Sequence, residues 1–172
     1  MWIASFDIGI KNFAFMVMDW KGNNVFEIVD VQNIDITTTK KIEKDIAKHV
    51  IEVLDAYQSI WEQCDYFIIE QQMQFRHATN IKALKISQFV LCYFYIYCKD
   101  KTIVEYPAYH KTQVLGAPPY LKKYDRKKWT VDYFRRFLKE RNQEYILNDF
   151  QKLDDISDNF CLILAYVKQN HL

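Results

Sequence analysis

Hydrophobic and polar positions along the chain follow two successive periods. Positions 2–7, Trp-Ile-Ala-Ser-Phe-Asp, form a short apolar run that ends on an acid, and 13–20 and 25–31 are two further runs. The connections between them, Ile8-Gly9-Ile10-Lys11-Asn12 and Lys21-Gly22-Asn23-Asn24, are tight. Short apolar runs punctuated by Gly and Asn read as strands, and three in a row read as an antiparallel meander. The period then changes. Over 40–63, Ile42, Ile46, Val50, Leu54, Tyr57 and Trp61 recur at helical spacing, with Lys40, Lys44, Lys48 and Glu52 on the opposite side. This predicts one long amphipathic helix, with the threonines at 37–39 available to cap it. A fourth strand follows over 65–70 and again ends on an acid, Glu70. The pattern then predicts a helix over 79–98, a fifth strand over 102–106 closed by Pro107, a short helix over 110–115, a helix over 127–141 and a last helix over 154–170.

The helix over 79–98 is unusual beyond Phe89, where Val-Leu-Cys-Tyr-Phe-Tyr-Ile-Tyr-Cys is apolar or aromatic on every side. Such a helix is either deeply buried or shared with a second subunit. In a chain of 172 residues the shared face is the more economical expectation, with Phe89, Tyr93, Phe94 and Tyr97 meeting a partner copy. The same run is too short to span a bilayer. The start of the chain lacks the basic region of a signal peptide, and no membrane association is expected.

With 50% hydrophobic residues, the chain suffices for one domain over 1–172 with a substantial core. Three Gly and three Pro exclude glycine-rich phosphate loops and long linkers. Cys64, Cys92, Cys98 and Cys161 show no CxxC pair and sit in or beside apolar runs, so free thiols in a reducing, intracellular compartment are expected. The four histidines do not cluster at metal-ligand spacing, and no Walker, Rossmann, HExxH or nucleophile-elbow motif is present.

Charge becomes informative through its distribution. The formal net charge is +1, but from Lys111 to Arg141 ten Lys/Arg stand against three Asp/Glu, and the balance then turns acidic. A basic surface beside an acidic site suits an enzyme that holds a phosphate backbone and cuts it with metal. Lys122, Lys123, Arg126, Lys127 and Lys128, interleaved with Tyr124 and Trp129, are the leading phosphate surface. Lys11 and Asn12, beside the first bend, are further candidates. The polar stretch after Glu70 carries Phe75, placed to wedge or stack on a base, and Arg76.

The acids are the sharpest feature. Asp7 and Glu70 each end an apolar strand, and Asp154, Asp155 and Asp158 open the last helix. Asp155 and Asp158 share a helix face, as do Asp154 and Asp158. A helix N-terminus favours acids through its dipole and through capping, which is one account of the cluster. The other is a cation held between the carboxylates.

Taken together, Phe-Asp-Ile-Gly-Ile-Lys-Asn around Asp7, Ile-Ile-Glu-Gln-Gln around Glu70 and Asp-Asp-Ile-Ser-Asp in the last helix resemble the RuvC-type Holliday junction resolvases. They are most similar to the poxviral and other large-DNA-virus branch, with mitochondrial resolvases as further cousins. The resemblance covers essentially the whole chain. It implies an α/β, ribonuclease H-like fold, with a mixed five-stranded sheet (three antiparallel strands, then two parallel) flanked by helices. It implies Asp7, Glu70, Asp155 and Asp158 as catalytic metal ligands, with Asp154 as an additional neighbour that either joins them or caps the helix. It further implies two Mg²⁺ per site, with Mn²⁺ as a substitute, and a homodimer that nicks four-way and other branched DNA in symmetric pairs. The expected ends are 5′-phosphate and 3′-hydroxyl, and for a poxviral protein the expected compartment is the host cytoplasm. Two alternatives remain open on sequence: a ribonuclease H-type enzyme acting on RNA–DNA hybrids, and a non-catalytic DNA-binding module with the same fold.

Overall fold

A computed structural model describes residues 1–23, 25–36, 42–72, 80–150 and 153–172. β1 (Trp2–Asp7), β2 (Phe13–Gly22) and β3 (Val25–Ile34) form the antiparallel meander. β4 (Cys64–Gln71) pairs with β1 in parallel, and β5 (Thr102–Pro107) pairs in parallel with β4. The sheet therefore has the order β3-β2-β1-β4-β5. β1 and β4 are adjacent, the arrangement that a shared site for Asp7 and Glu70 requires. The threonines at 37–39, Phe75 and Arg76 lie outside the described residues.

Side-chain alternation decides which face each strand residue serves. Ala4 and Phe6 of β1 and Ile8 just beyond it, with Phe67 and Ile69 of β4, pack on one face. There they pack under α1 (Ile42–Asp55), the single-turn α2 (Gln58–Trp61) and α3 (Ile81–Tyr97). Ile3 and Ile68 point to the other face, as their neighbours Ser5, Asp7 and Glu70 must. That face is covered by α5 (Lys123–Lys139) and α6 (Asp154–Asn170), with α4 (His110–Val114) against α6.

Three sequence expectations need correction. The long helix over 40–63 is broken after Asp55. The chain folds back there so that Trp61 enters the core, its indole Nε1 donating to the Leu54 carbonyl at 2.7 Å. Burying an indole with its N–H satisfied outweighs one continuous run of helix. The helix expected over 127–141 begins earlier: α5 starts at Lys123, so the cations at 123–128 stand on helical turns. And α3 is not uniformly shared. Tyr93 and Phe94 lie in the chain's own core, Phe94 stacked on Phe67 at 4.1 Å and Tyr93 donating its hydroxyl to Asp55. They cannot serve as dimer contacts, because the core of this chain already covers them. The open side of α3 carries Tyr95, Ile96 and Tyr97, and Phe89 is half-buried. Among the described residues, no helix is long and apolar enough to cross a membrane.

Candidate active site

One lateral row of the sheet builds the floor of the site. Asn33 of β3 pairs across to Ala14 of β2, Ala14 to Asp7 of β1, and Glu70 of β4 to Tyr106 of β5. The parallel register that sets Phe6 beside Ile69 brings Asp7 next to Glu70 at the carboxyl ends of their strands, where open α/β sheets gather functional groups. β1 then leaves the sheet through Gly9. A Cβ at that position would stand 2.7 Å from the Asn12 carbonyl oxygen, so the bend after Asp7 admits no side chain.

The first turn of α6 closes over this row. Asn159 anchors it: Ser5 on β1 donates to the Asn159 side-chain oxygen at 3.0 Å, and the Asn159 amide donates to the Asp155 carbonyl at 3.0 Å. Asp155 and Asp158 are thereby held nearly out of solvent, at 4% and 8% exposure. Each has a neutral partner from another element. Asn33 donates to Asp155 Oδ2 at 3.1 Å, and the buried Thr130 hydroxyl donates to Asp158 Oδ1 at 2.8 Å.

A cleft of about 420 Å³ results, lined by Asp7, Glu70, Asp155 and Asp158 together with Lys111. Lys111 is the central cation. Its ammonium, 5% exposed as a residue, donates to Glu70 Oε1 at 2.7 Å and sits 3.0 Å from Asp158 Oδ2. Burial works against the charge on Lys111, but Glu70, Asp158 and Asp7 outweigh it and keep the amine protonated. Burial likewise opposes ionisation of Glu70, yet Lys111 holds its carboxyl below the ordinary value. Asp7 has the opposite fate. Burial first, and the Glu70 charge second, push its carboxyl well above the ordinary range. The two neighbouring carboxyls are thus driven in opposite directions, and they titrate as a pair.

The outer wall is basic. Lys123, Arg126 and Lys127 of α5 line the cleft, as does Asn12. Lys127 reaches 3.6 Å from both Asp154 and Asp155. Asp154 differs from its neighbour: its side chain is 36% exposed against 6% for Asp155, and it does not line the cleft. Lys11, Lys122 and Lys128 are exposed and stand outside the lining. Sequence reasoning missed Lys111, Asn33 and Thr130. Of these only Lys111 carried a usable signal, as the first cation after a strand parallel to the one ending in Glu70.

The donor set is all carboxylate, the chemistry of a hard divalent cation such as Mg²⁺ or Mn²⁺. Among the described residues, no three acidic, His or Cys side chains close on a point as a finished cage. Lys111 stands where their charge converges. Carboxylates from three elements gathered around one buried ammonium fit a cation-binding role.

By architecture this is a RuvC-like member of the ribonuclease H-like folds. The chain superposes on the yeast mitochondrial Holliday junction resolvase with a TM-score of 0.72 at 13% identity, over 98% of this chain and 80% of that one. On Thermus thermophilus RuvC the TM-score is 0.67 at 15% identity, over 99% and 97%. Sequence narrows the class further. Residues 1–170 match the family model described as Poxvirus A22 protein, and the chain belongs to that family. It is 36% identical to protein 97L of invertebrate iridescent virus 3, over 96% of this chain and 99% of the relative. It is 30% identical to the Holliday junction resolvase of fowlpox virus, over 98% and 93%.

Proposed function

We propose that this chain, acting as one nuclease domain, is a metal-dependent DNA endonuclease that resolves four-way junctions by paired symmetric nicks. The observation that carries the reading is the cleft in which carboxylates from β1, β4 and α6 surround Lys111 beneath a basic wall. Membership of the poxviral family and the name of the fowlpox relative support it.

Asp7, Glu70, Asp155 and Asp158 would hold two Mg²⁺, with Mn²⁺ able to substitute. Bound there, the ions supply a water of lowered pKa and offset charge on the scissile phosphate. The chain's own groups do the rest. Lys111 keeps Glu70 ionised, pairs with Asp158 and presents an ammonium to the phosphate. Asn33 and Thr130 each fix one oxygen of a ligand carboxylate, while the other faces a lysine, Lys127 for Asp155 and Lys111 for Asp158. A bound cation would favour the ionised form of Asp7, against the burial that raises its carboxyl in the empty cleft. Lys123, Arg126 and Lys127 hold the strand by its backbone, with Asn12, Lys11, Lys122 and Lys128 extending the track. Asp154 serves as a partner of Lys127 and of the helix dipole rather than as a ligand. The products carry 5′-phosphate and 3′-hydroxyl ends.

A four-way junction has two equivalent strands to cut, so the reading includes a homodimer. Its contact is the open side of α3, where Tyr97 and Phe89 are joined by Tyr95 and Ile96. Sedimentation of the purified chain tests this. The free cysteines suit a reducing intracellular compartment, the host cytoplasm for a poxvirus-type enzyme.

The deciding experiment offers a labelled four-way junction, the matching duplex and an RNA–DNA hybrid, with Mg²⁺ and with EDTA. Symmetric nicks in the junction alone, lost in EDTA, are expected. Cutting of the hybrid with the junction intact would assign the chain to ribonuclease H chemistry. Asp7→Asn should bind the junction yet cleave it at least about 100-fold more slowly, since outer-shell changes alone cost 10–100-fold. Near wild-type cleavage by this variant would refute the site assignment.

A further inference from the structure

The basic segment carries two tyrosines that the fold leaves uncovered. Tyr120 is fully exposed and Tyr124 is 79% exposed, the highest values among the described large hydrophobic side chains. Single exposed aromatics are ordinary, but this pair has two further properties. Tyr120 adopts φ 63°, a left-handed conformation that a Cβ disfavours and that turns normally assign to Gly or Asn. It follows Pro118-Pro119, whose rings fix the backbone on its N-terminal side. A bulky ring is thus held outward at a position where sterics alone would select a small residue. Tyr124 lies in the first turn of α5, next to Lys123 and three residues before Lys127, both of which line the cleft. Residues three apart share a side of a helix, so Tyr124 projects from the side of α5 that also carries Lys127.

Charge around the pair narrows what covers it. Lys122, Lys123, Arg126, Lys127 and Lys128 crowd the first turns of α5 against the single Asp125. This end of a helix favours anions, and no side chain caps it. Cations placed against the dipole raise the energy of the free protein, and a polyanion relieves it. A second copy of the chain would bring the same positive surface into a self-complementary contact and be repelled. The occupant that satisfies both the exposed rings and this local excess of positive charge is a nucleic-acid strand with open bases. Paired arms do not offer these, because their bases are stacked on one another. The point where strands part does.

We infer that Tyr120 and Tyr124 stack on unpaired bases at the branch point and so position the junction over the cleft. This rests on the resolvase reading above and adds the residues that distinguish branched from plain duplex DNA. The test is fluorescence anisotropy of the full chain in EDTA with three labelled probes: a four-way junction, its duplex arm and a single strand of equal length. Tyr120→Ala and Tyr124→Ala should each weaken junction and single-strand binding by roughly 5–100-fold, the range set by loss of one base–aromatic stack. Duplex binding should not change. Tyr120→Phe and Tyr124→Phe, which keep the ring, should bind as the unmodified chain does. Tyr120→Gly should melt no lower than the unmodified chain while losing junction affinity, a combination that a merely structural residue does not give. Wild-type junction and single-strand affinity in both Ala variants would overturn the inference. Equal losses on duplex would overturn it in favour of a backbone contact, and loss of dimer in sedimentation would overturn it in favour of a second copy. If the unmodified chain fails to prefer the junction over duplex, the resolvase reading falls while the single-strand arm still decides whether the tyrosines stack.

Discussion

The two faces of the sheet are built from alternate residues of the same strands and bury different chemistry. Under α1–α3 the interior is aromatic: Phe6 lies 5.2 Å from Phe94 and 5.6 Å from Trp61, and Phe15 meets Trp61 edge-on at 5.1 Å. The buried charged side chain that alternation assigns to that face, Asp19 of β2, lies at the end of the sheet remote from Asp7 and pairs with Lys21 and the N-terminal ammonium. Under α4–α6 the interior starts in the same way, with Phe134 against Phe160 at 4.5 Å. Toward the carboxyl ends of β1 and β4 it gives way to Lys111, Thr130, Asp155, Asp158 and Asn159, all buried. Buried charge is expensive unless paired, and pairing seldom repays the full desolvation cost. The aromatic face therefore supplies stability that the mixed face uses to hold charges in place.

Magnesium should separate the faces. Lys111→Met removes the cation between Glu70 and Asp158 and should destabilise the metal-free protein by about 3–5 kcal/mol. Phe94→Ala should cost a comparable 3–5 kcal/mol through a cavity on the aromatic face. Denaturant melts with and without millimolar Mg²⁺ distinguish them: the ion should recover more of the Lys111→Met loss than of the Phe94→Ala loss. Equal recovery would mean that the charged face has no particular demand for a cation.

A smaller effect is expected from Thr130→Val, which keeps the shape but strips Asp158 of its neutral donor. Destabilisation of about 1–3 kcal/mol should accompany weaker Mg²⁺ binding by calorimetry, and Thr130→Ser should restore both. The smallest effect has the opposite sign. Because Asp7 is held above its unfolded value, the folded protein binds a proton more tightly than the unfolded chain does. Metal-free stability should therefore fall as pH rises from the ordinary carboxylate range through the raised value of Asp7. Asp7→Asn should flatten that slope and, at neutral pH in EDTA, raise the melting temperature by roughly 2–4 °C for each 1 kcal/mol of repulsion removed. A lower melting temperature would show that the Asp7 carboxyl stabilises the empty cleft.

The same contrast explains what was legible in the sequence. Strands, α6 and the four acids were readable because each is a local pattern: a period of two, a helical stripe, an acid at a strand end. The partners of those acids were not. Asn33 reaches Asp155 across 122 positions and Thr130 reaches Asp158 across 28, and neither has any local peculiarity. Lys111 read as one member of a basic run because only the parallel pairing of β4 with β5 turns α4 toward Glu70. The aromatic run in α3 was misjudged because composition cannot tell which rings meet Phe67 and which meet solvent. Exposure separates Asp154 from Asp155, and exposure is a property of how α6 docks rather than of the residues.

The docking of α6 also has a consequence for when the protein is dangerous to its own template. The same helix brings Asp155 and Asp158 to the cleft and fills the core with Phe160, Leu162 and Ile163. A nascent chain still short of position 158 has neither the full set of acids nor the wedge that holds the sheet's second face together. On the proposed function, competence to cut therefore arrives late in synthesis, and a chain ended before position 158 lacks both Asp158 and the helix that closes the sheet's second face.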